Sequence, residues 1–125
     1  MIRIVLVDDE KSWLEIIKAM LESTFIFDME VRTFSEPQEA LLYIKSTTID
    51  CVISDYLIPG HISGLELYHK IQGINKDIKF ILISNSKIPT EKIKDIVQQG
   101  IIYLPKSFLV VRNFMKKNLE EILIA

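Results

Sequence analysis

The sequence predicts a three-layer α/β fold built on a parallel sheet, and three observations carry that expectation. Short runs of β-branched and aliphatic residues alternate five times with amphipathic stretches of helical period. The runs are apolar almost throughout, as strands covered on both faces are. Each ends in polar or turn-forming residues, so helices can cross back over the sheet on either side.

The 125 residues fit one domain over 1–125, long enough to bury a core without metal or disulfide staples. Hydrophobic residues make up 49% and charged ones 26%, which excludes global disorder. A net charge of -2 lacks the basic excess of a phosphate-backbone binder, so no direct contact with nucleic acid is expected. A single cysteine, Cys51, rules out an intramolecular disulfide and points to a cytoplasmic protein. No apolar run approaches membrane-spanning length, and the stretch from Met1 to Val7 is stopped by acids rather than by a small-residue cleavage site. No membrane association and no leader are expected.

Ile2 to Val7 is the first predicted strand, ending in Asp8-Asp9-Glu10. From Lys11 to about Ser23, Trp13, Ile16, Ile17, Met20 and Leu21 recur with helical period, which assigns Trp13 to core or partly covered surface. Met29 to Phe34 is a shorter strand. Ser35-Glu36-Pro37 then opens a helix to about Ser46, with a capping residue and a proline in its first turn. The third strand is Cys51 to Asp55 or Tyr56, followed by the Pro59-Gly60 turn. Ser63-Gly64 leads into a helix through Leu65, Leu67, Tyr68 and Ile71 that Gly73 closes. Phe80 to Ile83 is a central strand ending at Ser84-Asn85. Pro89-Thr90-Glu91 starts a helix whose inner face would be Ile93, Ile96 and Val97, with Gly100 just past its end. Ile101 to Leu104 is the fifth strand, and after Pro105-Lys106-Ser107 a last helix runs to about Ile124.

If the strands are parallel, their carboxyl ends share one edge, where open sheets hold ligands. That edge receives Asp8, Asp9, Asp55, Ser84 and Lys106. Clustered carboxylates repel one another unless a cation relieves the charge, and Mg2+ suits one or two carboxylates while keeping sites for water and phosphate oxygens. Three aspartates, one magnesium ion and one lysine sum to a neutral site able to receive an anionic phosphoryl group. His61 and His69 lack a His or Cys neighbour at metal-ligand spacing and belong to the surface.

These residues, in this order, make the chain similar to the receiver domain of bacterial two-component response regulators of the chemotaxis-regulator kind. The marks are Asp8-Asp9, Asp55 followed by Tyr56-Leu57-Ile58-Pro59 and then Gly64, Ser84 at a strand end, and Lys106 after the fifth strand. The resemblance implies a flavodoxin-like, five-stranded parallel sheet in the order 2-1-3-4-5. It implies that Asp55 accepts a phosphoryl group from a sensor histidine kinase, a phosphotransfer protein or a small phosphodonor. Asp9, Asp55 and the backbone carbonyl of Leu57 would ligate Mg2+, with Asp8 acting through water, and Lys106 would meet the phosphoryl oxygens. Ser84 and Tyr103 would form the switch pair that passes the change to a downstream target or output domain. A signalling switch rather than an enzyme is thereby expected.

Two departures stand out. Ser107 occupies the place where the family has a proline after the lysine, and Asn85 follows the switch hydroxyl where a smaller residue is common. Asn85 and Leu57 therefore stand as modulators of access to Asp55. In the last helix Phe108, Val111, Met115, Leu119 and Ile122 form one stripe, while Leu109, Val110, Phe114, Leu123 and Ile124 fall largely outside it. The surplus predicts an interaction face for a partner or a homodimer around the fourth helix, fifth strand and fifth helix. Competing readings are a degenerate receiver acting as a phosphate-independent binding module and an aspartyl-phosphate phosphatase. Leu57, where such enzymes place a second acid, weakens the latter. A flavin-binding protein would need Ser, Thr and Gly where Asp8-Asp9-Glu10 stands.

Overall fold

The structure is a computed structural model that describes residues 1–25, 28–85 and 88–123, with the side chains of Glu120, Ile122 and Leu123 left out. Ile124 therefore lies outside the described residues. Strands and helices alternate as β1 (Ile2–Val7), α1 (Lys11–Thr24), β2 (Met29–Phe34), α2 (Pro37–Ser46), β3 (Cys51–Asp55), α3 (Gly64–Gln72), β4 (Lys79–Ser84), α4 (Thr90–Gln98), β5 (Ile102–Pro105) and α5 (Phe108–Leu123). All strand pairings are parallel, in the order β2-β1-β3-β4-β5. This is the flavodoxin-like order.

Period-two alternation sorts the strand residues between two cores. Ile4, Leu6, Cys51, Ile53, Ile81 and Ile83 pack with Leu14, Ile17 and Leu21 of α1 and with Val111, Met115 and Leu119 of α5. Val5, Val7, Val52, Phe80 and Leu82 pack on the other face with Ala40 and Ile44 of α2, Leu67 and Ile71 of α3, and Ile96 of α4. Asp8 and Asp55 continue the first series and Ser84 the second. The alternation thus sends the two acids and the hydroxyl toward opposite faces of one edge. Cys51 is fully buried, and burial pushes its thiol up to about 12.

Several expectations need correction. Ile16 is exposed, and Leu14 takes its place on the buried arc of α1, because Leu14, Ile17 and Leu21 keep the three-and-four spacing that faces the sheet. Glu36, not Ser35, stands before α2, and its side chain makes no capping bond. Val97 is exposed, leaving Ile96 as the fully buried residue of α4, with Ile93 half-buried. Phe108, the first residue of α5, is also exposed, while Val111, Met115 and Leu119 further along the same stripe are buried. Leu109 and Val110 lie outside the stripe as expected, whereas Phe114 is half-buried against the first core.

Gly64 shows how the carboxyl edge of the sheet is assembled. Its N–H donates to the Tyr56 carbonyl at 2.8 Å, and Ser63 caps α3 by accepting from the Glu66 N–H at 3.1 Å. A Cβ at Gly64 would collide with the backbone carbonyl of Asp55 and stand 2.7 Å from Leu82 Cδ1. Only glycine lets α3 start this close to β3. Gly64→Ala should therefore cost about 2 kcal/mol or more of stability; a wild-type midpoint in urea denaturation would refute this contact.

Candidate functional site

The register brings the acids together before any side chain is considered. Val7 pairs with Ser54, so the next residues, Asp8 and Asp55, end neighbouring strands. Asp55 pairs with Ile83, and Ser84 pairs with Pro105, the residue before Lys106. The Asp8 N–H still donates to the Phe34 carbonyl at 3.1 Å, and the Lys106 N–H to the Ser84 carbonyl at 2.9 Å, so both residues are held by backbone as the strands run out.

Asp8, Asp55 and Ser84 are buried, while Asp9 is exposed. Asp8, Asp9 and Asp55 each offer a carboxylate oxygen within 4.8 Å of the others. The Lys106 side chain is only 4% exposed, and its ammonium lies 2.8 Å from Asp8 Oδ2 and 3.4 Å from Asp55 Oδ2. Desolvation raises the Asp8 carboxyl to about 6, against the pull of Lys106 and of the Glu10 N–H that donates to Oδ1 at 2.9 Å. Desolvation also raises Asp55, against the pull of the same ammonium. Burial works to lower Lys106, but the surrounding acids, Asp8 and Glu10 foremost, outweigh it and push that group up.

These residues fit a hard divalent cation. Asp8 Oδ2 is buried and faces the ammonium as an ion pair without an aligned hydrogen bond, and the donor set is carboxylate oxygen throughout. The cluster is the one such grouping of His, Cys, Asp and Glu among the described residues, and both histidines are exposed.

Around this pocket, Leu57 is half-exposed and Asn85 exposed. Tyr103 is half-buried against the second core and, with Ser84, Asn85, Ile88, Ile93, Pro105 and Lys106, lines an open groove of about 440 Å³. Among the described residues no peptide bond is cis, so Lys106-Ser107 is trans.

Two neighbours of Lys106 were not legible as site residues. Glu10 Oε1 lies 2.8 Å from the ammonium, and the Trp13 ring centroid lies 5.4 Å from it. Glu10 occupies the N-cap of α1 yet makes no capping bond. Glu10 also corrects the neutral charge count, since it puts a fourth carboxylate at the site. The one available signal was the third acid in Asp8-Asp9-Glu10.

An acid at the end of the middle strand of a 2-1-3-4-5 sheet, flanked by an acidic pair and a lysine, defines a receiver-type signalling domain. The chain belongs to the response regulator receiver domain family, whose model it matches over residues 4–117. Phosphorylation and Mg2+ binding at an acidic pocket are general features of this family, whose members work with histidine kinases and output domains in two-component signalling. The chain is similar to the response regulator TrrA from Thermotoga maritima in complex with Mg2+-BeF, at 33% identity over 98% of this chain and 100% of that one, with a TM-score of 0.78. It is also similar to a receiver domain protein from Clostridium thermocellum, at 25% identity, covering 98% of this chain and 94% of that one, with a TM-score of 0.83. The cyclic di-GMP phosphodiesterase response regulator RpfG of Xanthomonas campestris pv. campestris is 29% identical over 85 residues, 66% of this chain. The chain spans only 22% and 18% of the length of the curated relatives it matches. Among the described residues no helix is long and apolar enough to cross a membrane.

The raised pKa of Asp8 fixes the sign of a pH effect. A folded value of about 6 against an ordinary 3.8 means that the folded state binds this proton more tightly, so ionised Asp8 opposes folding and acidification relieves it. In metal-free protein Asp8→Asn should raise Tm at about pH 7.5, and the gain should shrink towards about pH 5. A Tm at or below wild type at the higher pH would contradict this.

Proposed function

We propose that the chain is a phosphorylation-operated switch in which Asp55 accepts a phosphoryl group from a histidine kinase, a phosphotransfer protein or a small phosphodonor in the presence of Mg2+. The observation that carries this reading is the placement of a buried Asp55 carboxylate 3.4 Å from the ammonium of Lys106, whose side chain is almost fully covered, with Asp8 and Asp9 oxygens within 4.8 Å. Asp9, Asp55, the Leu57 carbonyl and, through water, Asp8 would hold the ion, which when bound neutralises charge on the phosphoryl oxygens. The complex of TrrA with Mg2+-BeF supports that requirement.

The chain's own residues supply the transfer. An Asp55 carboxylate oxygen forms the new bond to phosphorus as the donor's P–O or P–N bond breaks, and the leaving group takes the electron pair. With acetyl phosphate the products are an aspartyl acyl phosphate and acetate, and no proton changes hands. Lys106 donates to a phosphoryl oxygen where charge is concentrated. The Ser84 hydroxyl donates to another, drawing the segment after β4 inward, and Tyr103 turns into the groove it lines. The output is a shifted population of an active arrangement, read by a target or output domain, or by a second copy of the chain, at the α4-β5-α5 face.

Incubation with acetyl phosphate and Mg2+ should add one phosphoryl mass that hydroxylamine removes and Asp55→Asn prevents. Lys106→Met should slow the reaction about 100-fold. If no mass is gained, a phosphate-independent binding module becomes the better reading. Asn85→Ala should change the rate of phosphorylation or of hydrolysis; equal rates for both steps would remove that amide from the mechanism.

A further inference from the structure

We infer that Glu10 is an electrostatic brake on phosphoryl acceptance: by gripping the Lys106 ammonium it withholds that cation from incoming phosphoryl oxygens, and so sets how fast Asp55 is modified. The inference rests on the phosphoacceptor reading above.

Three observations lead to it. Glu10 stands where a short polar side chain would cap α1, but its carboxylate makes no capping bond and reaches the ammonium at 2.8 Å, closer than Asp55 at 3.4 Å. An ammonium has three donors, and Asp8, Glu10 and Asp55 surround it while the Trp13 ring lies 5.4 Å away. A phosphoryl oxygen must therefore displace one of these acids. Glu10 is the one that leaves at least cost, since its side chain is 53% exposed whereas those of Asp8 and Asp55 are 1% and 11% exposed.

The second effect is through space. Four carboxylates against one ammonium and one divalent ion leave the loaded pocket with a net negative charge, which opposes an anionic donor. Because Glu10 is half in water, this repulsion is screened by salt. Glu10 is thus a positioning residue: it acts through Lys106 and through its charge, not by touching the donor.

The test compares wild type with Glu10→Gln, which keeps shape and removes charge, and with Glu10→Ser, which removes charge and restores a helix cap. Both variants should be phosphorylated by acetyl phosphate about three- to tenfold faster at low ionic strength. The advantage should vanish near 1 M salt, where the Debye length is about 3 Å. The less charged donor phosphoramidate should show a smaller gain. Glu15→Gln, an exposed acid further along α1, should track wild type.

A second readout needs neither metal nor donor. Trp13 is the only tryptophan, so its emission should change in both Glu10 variants as the ammonium settles toward Asp55, and stay unchanged in Glu15→Gln. Wild-type rates and salt dependence in the variants, or an unaltered Trp13 emission, overturn the brake while the phosphoacceptor reading stands. Failure of every protein to gain phosphate overturns that reading and the brake with it.

Discussion

Keeping carboxylates out of water at one edge of the sheet is the constraint that the rest of the structure accommodates. Asp8 and Asp55 are buried because their strands lie inside the sheet, and burial raises both carboxyls. A lysine just past the edge strand β5 answers them, and its own charge is secured by the same acids. The lysine is the side that cannot be spared, because without it several acids would share the edge with no cation among them. The backbone bond from Lys106 to Ser84 and the near approach of α3 at Gly64 keep the strand ends in register around that pairing.

Much of this was legible from residue order. Continuous apolar runs ending in acids required a parallel sheet covered on both faces, and a parallel sheet by itself brings Asp8, Asp55, Ser84 and Lys106 to a common edge. Helix faces were read less well. Ile16 and Val97 are apolar at nearly helical spacing yet fall outside the buried arc of their helices, while Phe108 lies on the stripe but at the first residue of α5. Hydrophobicity reports what a side chain prefers, whereas burial depends on which arc of the helix is turned to the sheet. Glu10 was missed for a different reason. The sequence gives its distance along the chain from Asp8, but not the rotamer that turns an N-cap side chain away from its helix and onto a lysine.

The two departures from the family pattern sit differently in space. Ser107 follows a lysine whose position is already set by three acids and by a backbone bond to β4, so the ammonium is held without help from a proline ring. Asn85 is exposed and lines the same groove as buried Ser84 and half-buried Tyr103.

Cys51 offers a practical consequence. Its thiol is sealed in the middle strand at 0% exposure, and burial pushes it up to about 12, so thiol reagents find no nucleophile in the folded chain. The native sequence is therefore a ready background for site-directed labelling: a cysteine introduced on the surface would carry a spin probe or dye alone. Any modification of Cys51 itself would count the molecules that had opened.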